Sequence, residues 1–134
     1  MSIFSAGINM ENINQQIKDC LNELRFSATG IMDIAVVSIE GLPITSIVIE
    51  NVEETRFAAM TAAILSLGER VAQELNKGQL KKVFVEGENG YIITMQAGEN
   101  AVLTVSSTKD AKLGLLFLDM QRAAEKIAKI LSFG

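Results

Sequence analysis

The chain has 134 residues, 49% of them hydrophobic, with a formal net charge of −4, one cysteine and no histidine. That length suits a single domain, read as 1–134 with a core from about 10 to 131, able to bury enough surface without disulfides. The acidic balance disfavours nucleic acid, whose phosphates call for a basic field. Without histidine neither a Ser-His-Asp triad nor a His-bound metal can be built.

The first helix is expected from Glu11 to Phe26, where Met10, Ile13, Ile17, Cys20, Leu21 and Leu24 recur at helical spacing. Cys20 lies on that apolar side and reads as a core thiol. As the sole cysteine it forms no intrachain disulfide, and with no signal peptide in view a reducing cytoplasm is expected. Thr29 and Gly30 break the helix. Ile31 to Ile39 reads as a strand, Glu40-Gly41 as a tight turn, and Ile44 to Ile49 as the returning strand, with Pro43 tolerated at its start.

A long helix is expected from Val52 to Asn76, with Glu53 and Glu54 complementing the dipole of its first turn and Asn76-Lys77-Gly78 closing it. Three strands follow: Leu80 to Glu86, Tyr91 to Gln96 and Ala101 to Ser106. Asn89-Gly90 signals the first hairpin, and Gly98-Glu99-Asn100 makes the second turn. Apolar residues of both parities in these strands imply a sheet covered on both faces. A last helix runs from Ala111 to Ser132 with Leu113, Leu116, Phe117, Met120, Ala124, Ile127 and Leu131 as its apolar stripe. Arg122, Lys126 and Lys129 share a face of it and read as a solvated surface. The order is α-β-β-α-β-β-β-α, an α/β sandwich. No apolar run approaches the roughly 18 residues of a membrane span.

No residue is assigned a catalytic role, and no metal or cofactor is implied. The chain has no P-loop, and Glu86 and Glu88 fall at a hairpin tip, where solvation is the simpler reading. Function is most readable on the central helix. Phe57, Met60, Ile64, Leu67, Val71 and Leu75 form an apolar stripe expected to pack on the sheet. Beside it runs a flank of small, uncharged residues: Ala58, Thr61, Leu65, Gly68 and Ala72. Gly68 inside a helix costs about 1 kcal/mol relative to Ala, and a second copy of the helix packed close would compensate. The flank is therefore expected at a dimer interface, with internal clearance for a side chain as the other explanation of Gly68. The opposite face carries Ala59, Ala62, Ala63, Ser66, Arg70 and Gln73. It reads either as a partner-binding surface or as alanine used for helix propensity.

The stretch Ile39-Glu-Gly-Leu-Pro-Ile-Thr-Ser46 resembles the Roadblock (dynein light chain) family. So do Arg56-Phe-Ala-Ala-Met60, Leu65-Ser-Leu-Gly-Glu-Arg70, Val85-Glu-Gly-Glu-Asn-Gly-Tyr91, Lys112-Leu-Gly-Leu-Leu116 and Arg122-Ala-Ala-Glu125, in an order that spans nearly the whole chain. The resemblance implies a five-stranded antiparallel sheet with the long helix on one face and the terminal helices on the other. It implies dimerisation through that helix and the strand after it, which brings Val83 and Val85 into the expected interface. It also implies a non-enzymatic scaffold or regulator of a Ras-like small GTPase, of the prokaryotic single-domain type. An adaptor subunit without nucleotide sensing is the alternative.

Overall fold

In the structure, a computed structural model that describes residues 3–48 and 52–132, eight elements follow in the expected order. They are α1 (Ile3–Ser27), β1 (Ile31–Ser38), β2 (Pro43–Val48), α2 (Glu54–Glu74), β3 (Val83–Gly87), β4 (Gly90–Gln96), β5 (Ala101–Ser107) and α3 (Leu113–Ser132). The strands form one antiparallel sheet in the order β2-β1-β5-β4-β3.

Several boundaries differ from the sequence reading. Helix α1 begins at Ile3 rather than Glu11, and Ile49, the expected end of the second strand, lies outside the described residues. The third strand starts at Val83, and Leu80 instead packs against the small core beneath α2. The close of α2 is also more specific than a glycine stop. Asn76 takes the left-handed conformation (φ 57°), while Asn76 N donates to Gln73 O and Lys77 N to Ala72 O. That paired pattern satisfies two carbonyls at the end of the helix.

The sheet divides two unequal cores. On one face α1 and α3 pack Ile17, Leu21, Leu116, Met120 and Ile127 onto Ile34, Val36, Ile93, Leu103 and Val105, all fully buried. Each buried Ile or Leu contributes roughly 1.5–3 kcal/mol by leaving water, so most of the hydrophobic stabilisation sits here. The face toward α2 is thinner and smaller in volume: Ala35, Val37 and Val102 from the sheet meet Phe57, Ala58 and Leu65 from the helix. The same face carries a buried polar group. Ser106 Oγ donates to Asp33 Oδ2 at 2.6 Å, and the Thr94 and Thr104 hydroxyls lie 3.0 Å apart.

Gly41 turns the first hairpin with φ +93°, a conformation that side chains disfavour. A Cβ there would lie 3.5 Å from Ala62 Cβ and 3.4 Å from Ala59 Cα, so the turn rests on α2 where both sides are small.

Candidate functional site

The phase of α2 is the largest departure from the sequence reading. The flank assigned to a dimer interface is the face that packs inward: Ala58, Thr61 and Leu65 are buried against the sheet of their own chain, and Gly68 and Ala72 are half-buried. The interface assignment is therefore corrected to an internal one for Ala58, Thr61 and Leu65, whereas Gly68 and Ala72 line an open groove beside the sheet edge. Gly68 clears room within the chain, because the Cβ it lacks would lie 2.7 Å from Val83 Cγ2 and 3.3 Å from Leu80 Cδ2. We expect Gly68→Ala to lose about 1 kcal/mol in a urea melt, the clash outweighing the gain in helix propensity.

The stripe assigned to the core is the one left outside. Met60 is 53% exposed, Leu67 62%, Val71 48% and Leu75 63%, with Ile64 half-buried; of the six only Phe57 is buried. The cause lies in the sheet. Its residues under α2 are small or polar, so the helix settles closely on its small side. The bulky stripe is rotated about 100° away, one residue step around the helix.

This stripe continues onto β3, the last strand of the sheet, which among the described residues pairs with β4 alone. Val83 and Val85, assigned from the family resemblance, are half-buried on the α2 side of that strand. Leu67, Val71 and Leu75 line a groove of about 470 Å³ with Leu80, Val83 and Phe84. Met60, Ile64, Val85 and Ile92 line a second hollow of about 370 Å³ that has Asp33 and Thr94 in its wall. Ile64 belongs to both, which makes the two one apolar band along the helix and the edge strand.

The residues assigned to partner binding lie on the side of α2 away from the sheet. Ala59, Ala63, Ser66, Arg70 and Gln73 are exposed, and Ala62 is half-buried beneath the Gly41 turn. Arg70 is held within the helix by Glu74 at 3.0 Å. Lys109 reaches from the β5–α3 loop to Glu86 at 2.7 Å and stands 4.8 Å over the Tyr91 ring; the hydrogen bond to Glu86 raises its pKa above the ordinary value. Burial pushes the Cys20 thiol up, with Lys126 opposing and Glu23 adding to the shift. A thiol held protonated in this way is a poor nucleophile. The chemistry this surface offers is association, through aliphatic side chains and an open strand edge.

Comparison with known proteins agrees with this architecture. The Roadblock/LC7 domain model matches residues 17–107. The uncharacterized protein MJ1340 of Methanocaldococcus jannaschii is 37% identical over 98 residues, covering 73% of this chain and 85% of that protein. Among solved structures, the gliding protein MglB of Thermus thermophilus superposes with a TM-score of 0.83 at 18% identity, covering 91% of this chain and 93% of that one. An MglB in a tetrameric arrangement superposes with a TM-score of 0.82 at 20% identity, covering 88% and 89%. At those identities the structural likeness is one of fold, and the membership rests on the family model: this chain belongs to the Roadblock/LC7 domain family.

Proposed function

We propose that the chain is a non-catalytic regulator that forms a homodimer through the apolar band of α2 and β3 and, as a dimer, binds a Ras-like small GTPase in the cytoplasm. The observation that carries this reading is the band itself. Four large apolar residues along α2 and its C-cap are 48–63% exposed, and they run on into an open strand edge. A monomer in water rarely leaves so continuous an apolar surface open. Among the described residues no helix is long and apolar enough to cross a membrane, which removes a bilayer-spanning helix as the cover. The tetrameric arrangement of an MglB supports self-association as a habit of this fold.

Pairing two copies side by side leaves the opposite face of each α2 outward. Ala59, Ala63 and Ser66 then form a shallow floor with Arg70 and Gln73 at one end. That surface suits the broad, flat contact a GTPase switch region makes, and the family resemblance points to such a partner. Regulation requires a difference in affinity between the nucleotide states, because a ligand that binds both equally shifts no equilibrium. The test is titration of cognate small GTPases, loaded with GDP or with a non-hydrolysable GTP analogue, against the purified chain. Binding that differs between the two states supports a regulator. Equal binding in both would make it an adaptor, and no binding in either would remove the GTPase reading.

A further inference from the structure

Strand β1 carries a residue that neither core calls for. Asp33 stands inside the otherwise apolar run Ile31-Met-Asp-Ile-Ala-Val-Val37 and is only 4% exposed. Carboxylates are rarely buried this far, because a charge taken out of water has to be compensated. Thr94 and Thr104 are buried on the same side of the sheet.

The register shows where these groups meet. Asp33 lies opposite Ser106, Ser106 opposite Ile92, and Ile92 opposite Val85. One row across four strands therefore begins at a carboxylate and a hydroxyl and ends at two aliphatic side chains. Helix α2 does not cover this row, because it has settled beside it on Ala35, Val37 and Val102. The helix walls the row with Phe57, Thr61 and Ile64, which leaves the hollow of about 370 Å³. Ser106 Oγ donates to Asp33 Oδ2 at 2.6 Å, a short bond of the kind carboxylates accept. That bond fixes the orientation of the carboxylate at the polar end.

We infer that the hollow is a binding site for a small organic cation, a primary amine on an aliphatic body. Its ammonium group sits at Asp33 and its body lies over Ile92 and Val85. The sign follows from the lining. Asp33 is its one ionisable residue, and no lysine or arginine contributes to it. Between low-dielectric walls a single charge acts on a ligand with little screening, so a cation is drawn in and an anion is refused. The ammonium group has three N–H donors, and the Thr94 hydroxyl can turn to accept one of them beside Asp33.

The shape of the ligand follows from the same row. From β1 to β4 is two strand spacings, roughly 10 Å, about the reach of an ammonium group followed by five or six methylene groups. The walls along that path are apolar, and the volume falls in the range of small-molecule sites, where a few polar groups fix the head and apolar walls take the body. Met60, unbranched and half-exposed at the rim, is flexible enough to close over that body. The hollow is formed within one chain, so the site does not rest on the proposed homodimer. A second copy on the band would cover its mouth, and a variant that keeps the band open, such as Leu67→Asp, provides the uncovered form; Leu67 is not in the lining.

The experiment compares three probes of equal length, n-hexylammonium, 1-hexanol and hexanoate. Each is titrated by calorimetry and by amide chemical shifts into the wild-type chain and into Leu67→Asp. Hexylammonium should bind about tenfold or more tightly than hexanol, the scale of one hydrogen bond to a charged group, and hexanoate should not bind. The shifts should centre on Asp33, Ser106 and Ile92. The preference should persist at about 0.5 M salt, where general attraction to an acidic surface is screened. Asp33→Asn keeps the shape and removes the charge, so the preference for the amine should vanish while the affinity for hexanol stays. Ile92→Phe keeps the charge and fills the place of the body, so amine and alcohol should both weaken with the amine still preferred. That second variant, and the comparison of probes on the wild-type chain, decide the matter if Asp33→Asn does not fold. Equal affinity for hexylammonium and hexanol, a preference that survives Asp33→Asn, or no binding of hexylammonium to either chain would overturn the site.

Discussion

Leu67→Asp should convert the proposed dimer into folded monomers. Leu67 is 62% exposed on the outer side of α2, beside Gly68 and hence beside the sheet edge at Val83. In the monomer an aspartate there stays in water, and its cost is the small loss of helix propensity, about 0.5 kcal/mol. In the proposed dimer the same position lies within the shared apolar band. Two carboxylates would be desolvated near each other with no cation built to receive them, a penalty of several kcal/mol. A loss of about 4 kcal/mol raises Kd by roughly a thousandfold. Light scattering should then report the monomer mass, while circular dichroism and the monomer's urea midpoint stay close to wild type. The paired control is Leu65→Asp. Leu65 is 3% exposed against the sheet, so burying a carboxylate there should unfold the domain and not merely separate two copies. A Leu67→Asp chain that remains a stable dimer would remove α2 from the interface.

The contrast between Leu65 and Leu67 also marks where the sequence can be read and where it cannot. Every helix and strand is legible, because turn chemistry and hydrophobic period are local properties: Glu40-Gly41 turns the first hairpin and Ala101 to Ser107 is a continuous buried strand. The phase of α2 is not legible, because it depends on what the sheet presents to it. Ranking by size and hydrophobicity puts Met60, Leu67 and Val71 in the core. The sheet beneath, with Ala35, Val37, Thr94, Thr104 and Asp33, accepts a closely packed helix and not a bulky one. The signal is present in the sequence as the small flank with Gly68, and one of its two explanations, internal clearance, is the one the fold uses. Val83 and Val85, singled out through family resemblance, do lie along the band. Phe84, Met60 and Leu67, which complete it, require the strand order and the helix phase together. A pattern of exposed apolar residues says that something covers them, and the identity of a GTPase lies outside what such a pattern encodes.

Gly90→Ala should be among the most damaging single-methyl changes in the chain. Asn89-Gly90 reads in the sequence as a hairpin signal, and Gly90 is not among the positive-φ residues. It opens β4, and its requirement is space. A Cβ there would run into Ser107 O and lie 3.2 Å from Ser107 C. Those are main-chain atoms of β5, the strand flanked by β1 and β4, and Thr108 N, just beyond, donates to Gly30 O. No side-chain rotation relieves the contact. Either β4 lifts away at Tyr91↔Ser107 or β5 shifts against β1 at Ile31↔Ser107. Overpacking costs about 1–3 kcal/mol where side chains can adjust, and a backbone obstacle places this change at about 3 kcal/mol or more. Denaturant melts should show that loss. Because the hairpin that moves also carries β3, the dimer Kd should rise as well, and Lys109 should lose its hold on Glu86. Gly114→Ala is the comparison that isolates the cause. Gly114 sits in the first turn of α3, and nothing among the described residues comes within 4 Å of where its methyl group would lie. Alanine there should raise stability by about 0.5–1 kcal/mol through helix propensity and a less flexible unfolded chain. Both variants add the same methyl group to a glycine; the loss at Gly90 comes from the carbonyl of Ser107, and the gain at Gly114 from helix propensity where nothing stands in the way. A Gly90→Ala chain as stable as wild type would mean that β4 and β5 are not packed at this separation.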